Sequence, residues 1–211
     1  MQYIIMCGGK YRKWEKPRHL TVIDGETIVG RTIRLLRQEG VTDIAISTNN
    51  PIFEQCGVPL LSHENSYDVA GYNDFTGYWC DAFYPTKDPA CYIFGDVFFS
   101  PEAIKTIVHT PTDDIEFFAS APPFSVDYLK HSAEPFALKV VDQKLLREAI
   151  ERTKRLDKYN CFRRKPIMWE LWQVIKNTPI NIIDYTNYVV INDYTCDIDD
   201  PEELHESNTI R

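Results

Sequence analysis

The opening stretch MQYIIMCGGKYRKWEKPRHLTVIDGETIVG sets the strongest limit on how this chain can fold. A short apolar run, Tyr3 to Met6, meets two glycines, Gly8 and Gly9. A basic segment follows, with Lys10, Arg12, Lys13, Lys16 and Arg18. Leu20 to Ile23 forms another apolar segment, and Asp24-Gly25 reads as a turn. A strand that begins almost at residue 1 belongs in the middle of a sheet. Glycines at its carboxyl end let the backbone approach a ligand with no Cβ in the way. Free N–H groups there can cradle phosphate oxygens, and the neighbouring lysines and arginines can neutralise them. The segment matches neither the dinucleotide fingerprint nor the P-loop, having no third glycine in place and no Gly-Lys-Ser/Thr. The competing reading is a Gly-Gly turn beside a solvated basic loop.

Downstream, Thr27 to Glu39 reads as a helix, with Val29, Ile33 and Leu36 in one stripe. Ile44 to Ser47 is then a strand, completing a βαβ unit and predicting a parallel sheet. Asn49-Asn50-Pro51 follows at that strand's end, where a crevice would lie. Val58 to Leu61 suggests a short strand. His63 to Tyr84 is polar and aromatic, with a possible helix over about 74–83; it reads either as a packed connector or as a wall of a ligand site. Further strands are expected at Ala90–Phe94, Ile115–Ala121, Phe136–Val141, Ile180–Ile183 and Tyr188–Ile191. Further helices are expected over Ser100–His109, from Asp142, and from Arg163-Arg164-Lys165-Pro166 onward. The sum is a predominantly parallel α/β sheet with antiparallel additions. At 211 residues, one domain over 1–211 is expected, with residues 122–190 as an acceptor-side subregion.

A formal charge of −8 argues against tight nonspecific nucleic-acid binding, though not against a nucleotide site with its cations concentrated at residues 10 to 18. No apolar run reaches transmembrane length. Six cysteines form no CxxC pair, and the strand starting at Met1 leaves no room for a leader, so a cytoplasmic setting is expected. The five histidines are scattered without ligand spacing, and no Gly-x-Ser-x-Gly elbow is present.

Two acidic signals stand out. Asp96 follows an apolar strand and one glycine, which places it on the same sheet edge as Gly8-Gly9. A carboxylate there can bind Mg²⁺ while the ion bridges phosphates; the alternative is a cap on the next turn. Asp197 and Asp199, if extended, face one way with Ile198 buried behind them. Two like charges on one face call for a cation or solvent. Asp200 before Pro201 suits a helix cap.

Together, the glycines and basic loop, Pro17-Arg18-His19-Leu20, Ile23-Asp24-Gly25, Gly95-Asp96 and Asp197-Ile198-Asp199-Asp200-Pro201-Glu202-Glu203-Leu204 resemble the nucleotidyltransferases of the glycosyltransferase-A-like fold. These include sugar-phosphate nucleotidyltransferases, phosphocholine cytidylyltransferases and molybdenum-cofactor guanylyltransferases. The resemblance implies a Rossmann-like three-layer α/β/α architecture. It implies transfer of a nucleoside monophosphate from a nucleoside triphosphate to a phosphorylated sugar or small alcohol, with pyrophosphate released. The family's signature loop falls on Cys7, Gly8, Gly9, Lys10 and Arg12, as nucleotide contacts, and on Lys13. Its lysine after proline falls on Arg18, so Arg18, Lys13 and Asp96 become the implied catalytic groups. Its magnesium carboxylates fall on Asp96 and Asp199, with Asp197 nearby. The loop departs from the usual pattern in its Cys7 and in Lys10 after the glycines, and arginine replaces lysine at position 18.

The acceptor side is expected at Arg163, Arg164 and Trp169, where the basic pair could hold a phosphate at a helix start or could be a solvated cap. Trp14, Trp79, Trp169 and Trp172 could form an aromatic cage or could be core packing. Two rival functions carry less of the pattern: a nucleotide-sugar-dependent glycosyltransferase, and a nucleotide-binding protein without catalysis. The base, the acceptor and the choice between monomer and homodimer are not legible.

Overall fold

A computed structural model describes residues 1–9, 14–69, 77–121 and 133–198. The chain opens with β1 (Gln2–Met6) and a hairpin of β2 (Val22–Ile23) and β3 (Glu26–Thr27), then α1 (Ile28–Gln38) and β4 (Ile44–Ser47). β5 (Leu60–Leu61), the short α2 (Ser66–Val69), β6 (Ala90–Phe94), β7 (Val97–Phe98) and α3 (Pro101–His109) follow. Next come β8 (Ile115–Ala119), β9 (Pro135–Val140), α4 (Gln143–Lys158), α5 (Met168–Lys176), β10 (Val189–Val190) and β11 (Cys196–Asp197).

The helices start where short polar side chains can take their unsatisfied N–H groups. Thr27 Oγ1 accepts from Gly30 N at 3.0 Å, Ser100 Oγ from Ala103 N at 2.9 Å, and Asp142 Oδ1 from Lys144 N and Leu145 N at 2.9 Å each. α5 starts later than the Arg163-Arg164 pair suggests. Its first turn is set by buried Glu170, whose carboxylate accepts from Ile167 N at 3.0 Å.

Seven strands form one sheet in the order β10-β8-β9-β6-β1-β4-β5. β1 pairs parallel with β4 and β6, β4 with β5, and β10 with β8. β9 is antiparallel to both of its neighbours, β6 and β8, so it runs against the rest of the sheet. The apolar run Ile180–Ile183 is not a strand. The carbonyls of Pro179 and Ile182 accept instead from the side-chain amide of buried Gln173, at 2.5 and 2.6 Å. That satisfies polar backbone without a ladder.

Side-chain alternation shows which helices cover which face. Phe117 and Leu138 are cross-strand partners on one face, and Phe117 packs on Trp169 and Trp172 of α5. The next residue, Lys139, points to the other face, where its Nζ donates to Val108 O (3.0 Å) and Thr110 O (2.7 Å) at the end of α3. α1 packs against α3 and α4 against α5, so the sheet lies between two helical layers. Lys139 is buried, and burial lowers its pKa; the two carbonyls at the helix carboxyl end offset the cost of desolvating it.

Gly95 keeps the sheet's working edge closed. Its N–H bonds to Met6 O at 3.0 Å, carrying the β1–β6 pairing one residue past the ladder. A Cβ at Gly95 would lie 2.5 Å from Met6 O, 2.6 Å from Cys7 Sγ and 2.8 Å from His19 Cδ2. Gly95→Ala is therefore expected to destabilise the protein by about 1–3 kcal/mol, the usual cost of overpacking. Urea unfolding measures this, and an unchanged midpoint would show that the edge yields freely.

Candidate active site

The site forms where β1, β4 and β6 end together. Met6 is level with Ser47 on one side and Phe94 on the other. Cys7-Gly8-Gly9, Thr48-Asn49 and Gly95-Asp96 therefore leave the sheet side by side. Thr48 Oγ1 donates to Cys7 O at 3.1 Å, fixing the first of these turns to the second.

Arg18 reaches the same edge from a short 3₁₀ turn, Arg18–Leu20, set by Pro17, whose carbonyl accepts from Leu20 N at 2.9 Å. His19 and Leu20 are buried and anchor the turn, and His19 meets Phe53 edge-on at 5.8 Å. Thus held, Arg18 Nη2 donates to Asp96 Oδ2 in an ion pair whose side chains are 23% and 19% exposed. Asp96 O accepts from Ile198 N at 3.0 Å, and β11 lies antiparallel on β7 with Asp197 opposite Val97. Asp197, at the head of the carboxyl-terminal acidic segment, thus lies beside Asp96. Ile198 is buried in a small cluster with Ile23, Ile28 and Phe98, against which Trp14 and Cys196 pack. Asp197 N donates to Glu134 Oε2 at 3.2 Å, which brings a carboxylate from the start of β9 into the neighbourhood.

On the β4 side, Gly9 has φ +96° and its N–H donates to Asp68 Oδ1 at 2.6 Å. Asp68 Oδ2 accepts from Asn49 Nδ2 at 2.9 Å. Asn49 Nδ2 also bonds His63 O at 3.1 Å, and Ser62 Oγ donates to Asn49 Oδ1. Asp68 Oδ1 stands 2.6 Å from where a Gly8 Cβ would be, and the Tyr67 ring lies 3.2 Å from the corresponding point on Gly9. The glycine pair was expected to offer its N–H groups to phosphate; at Gly9 the N–H is taken by a carboxylate.

Among the residues expected from sequence, Cys7, Gly8, Gly9, Arg18, Asp96 and Asp197 are gathered at this edge. Lys10, Arg12, Lys13 and Asp199 lie outside the described residues. The acceptor-side residues are placed elsewhere. Arg164 Nε donates to Glu170 Oε1 at 2.6 Å, and Lys165 pairs with Asp157 at 2.7 Å and lies 4.0 Å over the Tyr78 ring. Arg163 is exposed. Trp169 is a core residue, 4% exposed, packed on Phe117, Tyr185 and Tyr188, so it does not wall an open site. The four tryptophans form no single cage: Trp14 packs on the small Ile198 cluster, Trp79 meets Phe83 and Phe94, and Trp169 and Trp172 of α5 pack on Phe117. Asp68, Tyr67 and Glu134 were missed. Asp68 and Tyr67 sit in the polar, aromatic stretch after His63, which has no period to read.

Solved structures share this fold over the whole chain. CTP:phosphocholine cytidylyltransferase from Streptococcus pneumoniae is 12% identical with a TM-score of 0.55, covering 100% of this chain and 99% of that one. Inositol-1-phosphate CTP transferase from T. maritima is 13% identical at 0.54, covering 99% and 95%. HddC from Yersinia pseudotuberculosis, complexed with GMP-PN, is 11% identical at 0.52, covering 100% and 99%. The sequence matches no protein-family profile and no curated protein. The architecture is therefore the three-layer α/β/α fold of these structures. No helix among the described residues is long and apolar enough to cross a membrane.

His19 adds a measurable property to the site. Burial, reinforced by the Arg18 charge, pushes its pKa down from 6.5 to about 3. The unfolded chain takes up a proton near 6.5 that the folded protein refuses until about 3, so folding stability falls as pH drops through that window. The slope should approach about 1.4 kcal/mol per pH unit. Denaturation of wild type and His19→Gln between pH 7 and pH 4 isolates it as a difference between the two profiles; parallel profiles would mean that His19 is protonated in the folded state.

Proposed function

We propose that this chain is a cytoplasmic, Mg²⁺-dependent nucleotidyltransferase that moves a nucleoside monophosphate from a nucleoside triphosphate to a phosphorylated sugar or small alcohol. The observation that carries this reading is the meeting of Gly8-Gly9, Arg18, Asp96 and the Asp197 segment at the ends of three adjacent strands. The fold supports it: among structures with the same architecture, two are by name CTP transferases to phosphocholine and inositol 1-phosphate, and a third holds GMP-PN.

In the proposed reaction an acceptor phosphate oxygen attacks the α-phosphorus in line with the departing pyrophosphate. One P–O bond forms, the bond to the β-phosphate oxygen breaks, and its electron pair leaves on pyrophosphate. No protein nucleophile is needed. Arg18 is the described cation at the site and would stabilise charge on the bridging and leaving oxygens. Lys10, Arg12 and Lys13 would add to it. The acceptor would enter from the side of residues 122–190, where Glu134 already borders Asp197.

The donor set fits magnesium. Among the described residues, no three His, Cys, Asp or Glu side chains gather as a metal cage. Mg²⁺ needs none, because it keeps several waters and binds through one or two carboxylates plus phosphate oxygens. Asp96 and Asp197 of the adjoining strand, with Asp199 two residues further along the sequence, would hold it, and it would neutralise the α-phosphate. Arg18 already lies on Asp96, so its guanidinium is at hand to share its charge with phosphate when a second cation joins that carboxylate.

The four ribonucleoside triphosphates, each with pooled phosphorylated sugars and alcohols and Mg²⁺, should give pyrophosphate with one pair. Nucleotide binding without pyrophosphate release would leave a binding protein without catalysis. Asp96→Asn should nearly abolish turnover with an unchanged circular dichroism spectrum; unchanged turnover would reject its role at the metal. Arg18→Ala should lower turnover about 10²-fold or more, and a loss confined to thermal stability would reject its role in the reaction.

A further inference from the structure

The carboxylates on the two sides of this strand-end edge have different partners, and the difference bears on which nucleotide fits. This inference rests on the nucleotidyltransferase reading above. At the β6 side, the Asp96 carboxylate carries the Arg18 guanidinium. At the β4 side, the Asp68 carboxylate carries an amide and a backbone N–H, and among the described residues no cation sits on it. A polyphosphate chain is drawn to Arg18 and to the cation that Asp96 and Asp197 would hold on the first side, whereas among the described residues the second side offers it only a carboxylate without a cation. A nucleotide lying across the ends of β6, β1 and β4 therefore directs its uncharged end, the base, toward Asp68.

We propose that Asp68 selects the base, favouring nucleoside triphosphates whose base carries an amino group over those of uracil and thymine. Gly9 N fixes Oδ1 at 2.6 Å and Asn49 Nδ2 fixes Oδ2 at 2.9 Å, so both oxygens are oriented. Each oxygen of an ionised carboxylate has two lone pairs, so each keeps acceptor capacity after these bonds, and neither can donate. Such a group matches an amino-bearing edge, which offers N–H donors: the N1–H and N2 amino pair of guanine, or the N4 amino group of cytosine. Uracil presents N3–H flanked by two carbonyl oxygens, whose lone pairs would face the carboxylate. Gly8 and Gly9 let Asp68 and Tyr67 come this close to the β1 turn, since a Cβ at either position would crowd them. Asp68 is thus a specificity residue at the far end of the site from Arg18.

The test is calorimetric titration of the full chain with the magnesium salts of GTP, CTP, ATP and UTP, and with inorganic tripolyphosphate, for wild type and Asp68→Asn. Asparagine keeps the shape and supplies a donor where the carboxylate has none. Wild type should bind its best amino-bearing nucleotide about tenfold or more tighter than UTP, the worth of roughly one discriminating hydrogen bond. In Asp68→Asn the ratio should fall to about threefold or less, with tripolyphosphate bound no more weakly than by wild type, because a repelling charge has been removed. Tripolyphosphate binding also reports that the variant has folded. Equal affinity of wild type for UTP and the amino-bearing nucleotides, or a ratio that survives Asp68→Asn, would overturn the assignment while leaving the nucleotide site standing. Failure of every nucleotide and of tripolyphosphate to bind would overturn the nucleotidyltransferase reading, and this inference with it.

Discussion

The parallel register of β1 with its two neighbours is the constraint on which the rest of the molecule depends. Because Met6 is level with both Ser47 and Phe94, three strand ends open at the same height. The core strands β1, β4 and β6 are buried almost throughout, so charged groups find room only beyond those ends. A one-residue slip of β6 would turn Asp96 to the opposite face and point Gly95 at the cleft. The Gly95 N–Met6 O bond opposes that slip, and the crowding around Gly95 explains why the carboxylate is preceded by a residue without a side chain.

Charge at this edge is local and arranged against the background of the chain. With a net charge of −8, the protein as a whole repels a polyanion. Attraction must come from groups within a Debye length of the cleft, roughly 8–10 Å. Arg18 meets that requirement because its turn is anchored by two buried residues, so little side-chain freedom remains to be lost on binding. Its pairing with Asp96 also keeps a partly buried carboxylate from standing uncompensated. The neutral, buried His19 next to it adds bulk without adding a second charge that would compete for the same partner.

Much of this was legible in the sequence, for identifiable reasons. Strand β1, helix α1 and strand β4 follow from simple apolar spacing and one capping threonine, and Gly95-Asp96 was placed correctly because a strand end is a local feature. The reversed direction of β9 was not legible, since PFALKV reads the same in either orientation. Lys139 within it looks like a surface charge, yet it is buried because the end of α3 supplies two carbonyls. Ile180–Ile183 misled because a run of apolar residues does not say whether a ladder or a buried glutamine will satisfy its backbone. Trp169 misled in the opposite sense: an aromatic near two arginines suggests a ligand wall, whereas Phe117, Tyr185 and Tyr188 enclose it. Asp68 was invisible because its meaning lies in Gly9, 59 positions away.

The carboxyl-terminal acidic segment shows how such long-range placement is achieved with little regular structure. β11 has only two ladder residues, so side chains must hold the strap that leads to it. Asn192 mimics a strand by bonding Ala121 N and O at 3.1 and 3.0 Å. Asp193 accepts from Ser100 Oγ, and buried Thr195 accepts from Ser100 N at 3.0 Å. Arg31 of α1 then stacks 4.4 Å over Phe98, while Ile198 closes the small cluster beneath. These contacts draw on residues beside α1, α3, β7 and β8, so the strap ties elements far apart in sequence to one edge. The site, drawing on residues 8 to 197, is thus a product of the finished fold, and its loop-closure entropy is met by burial of Ile198 and Thr195 and not by the charged groups themselves.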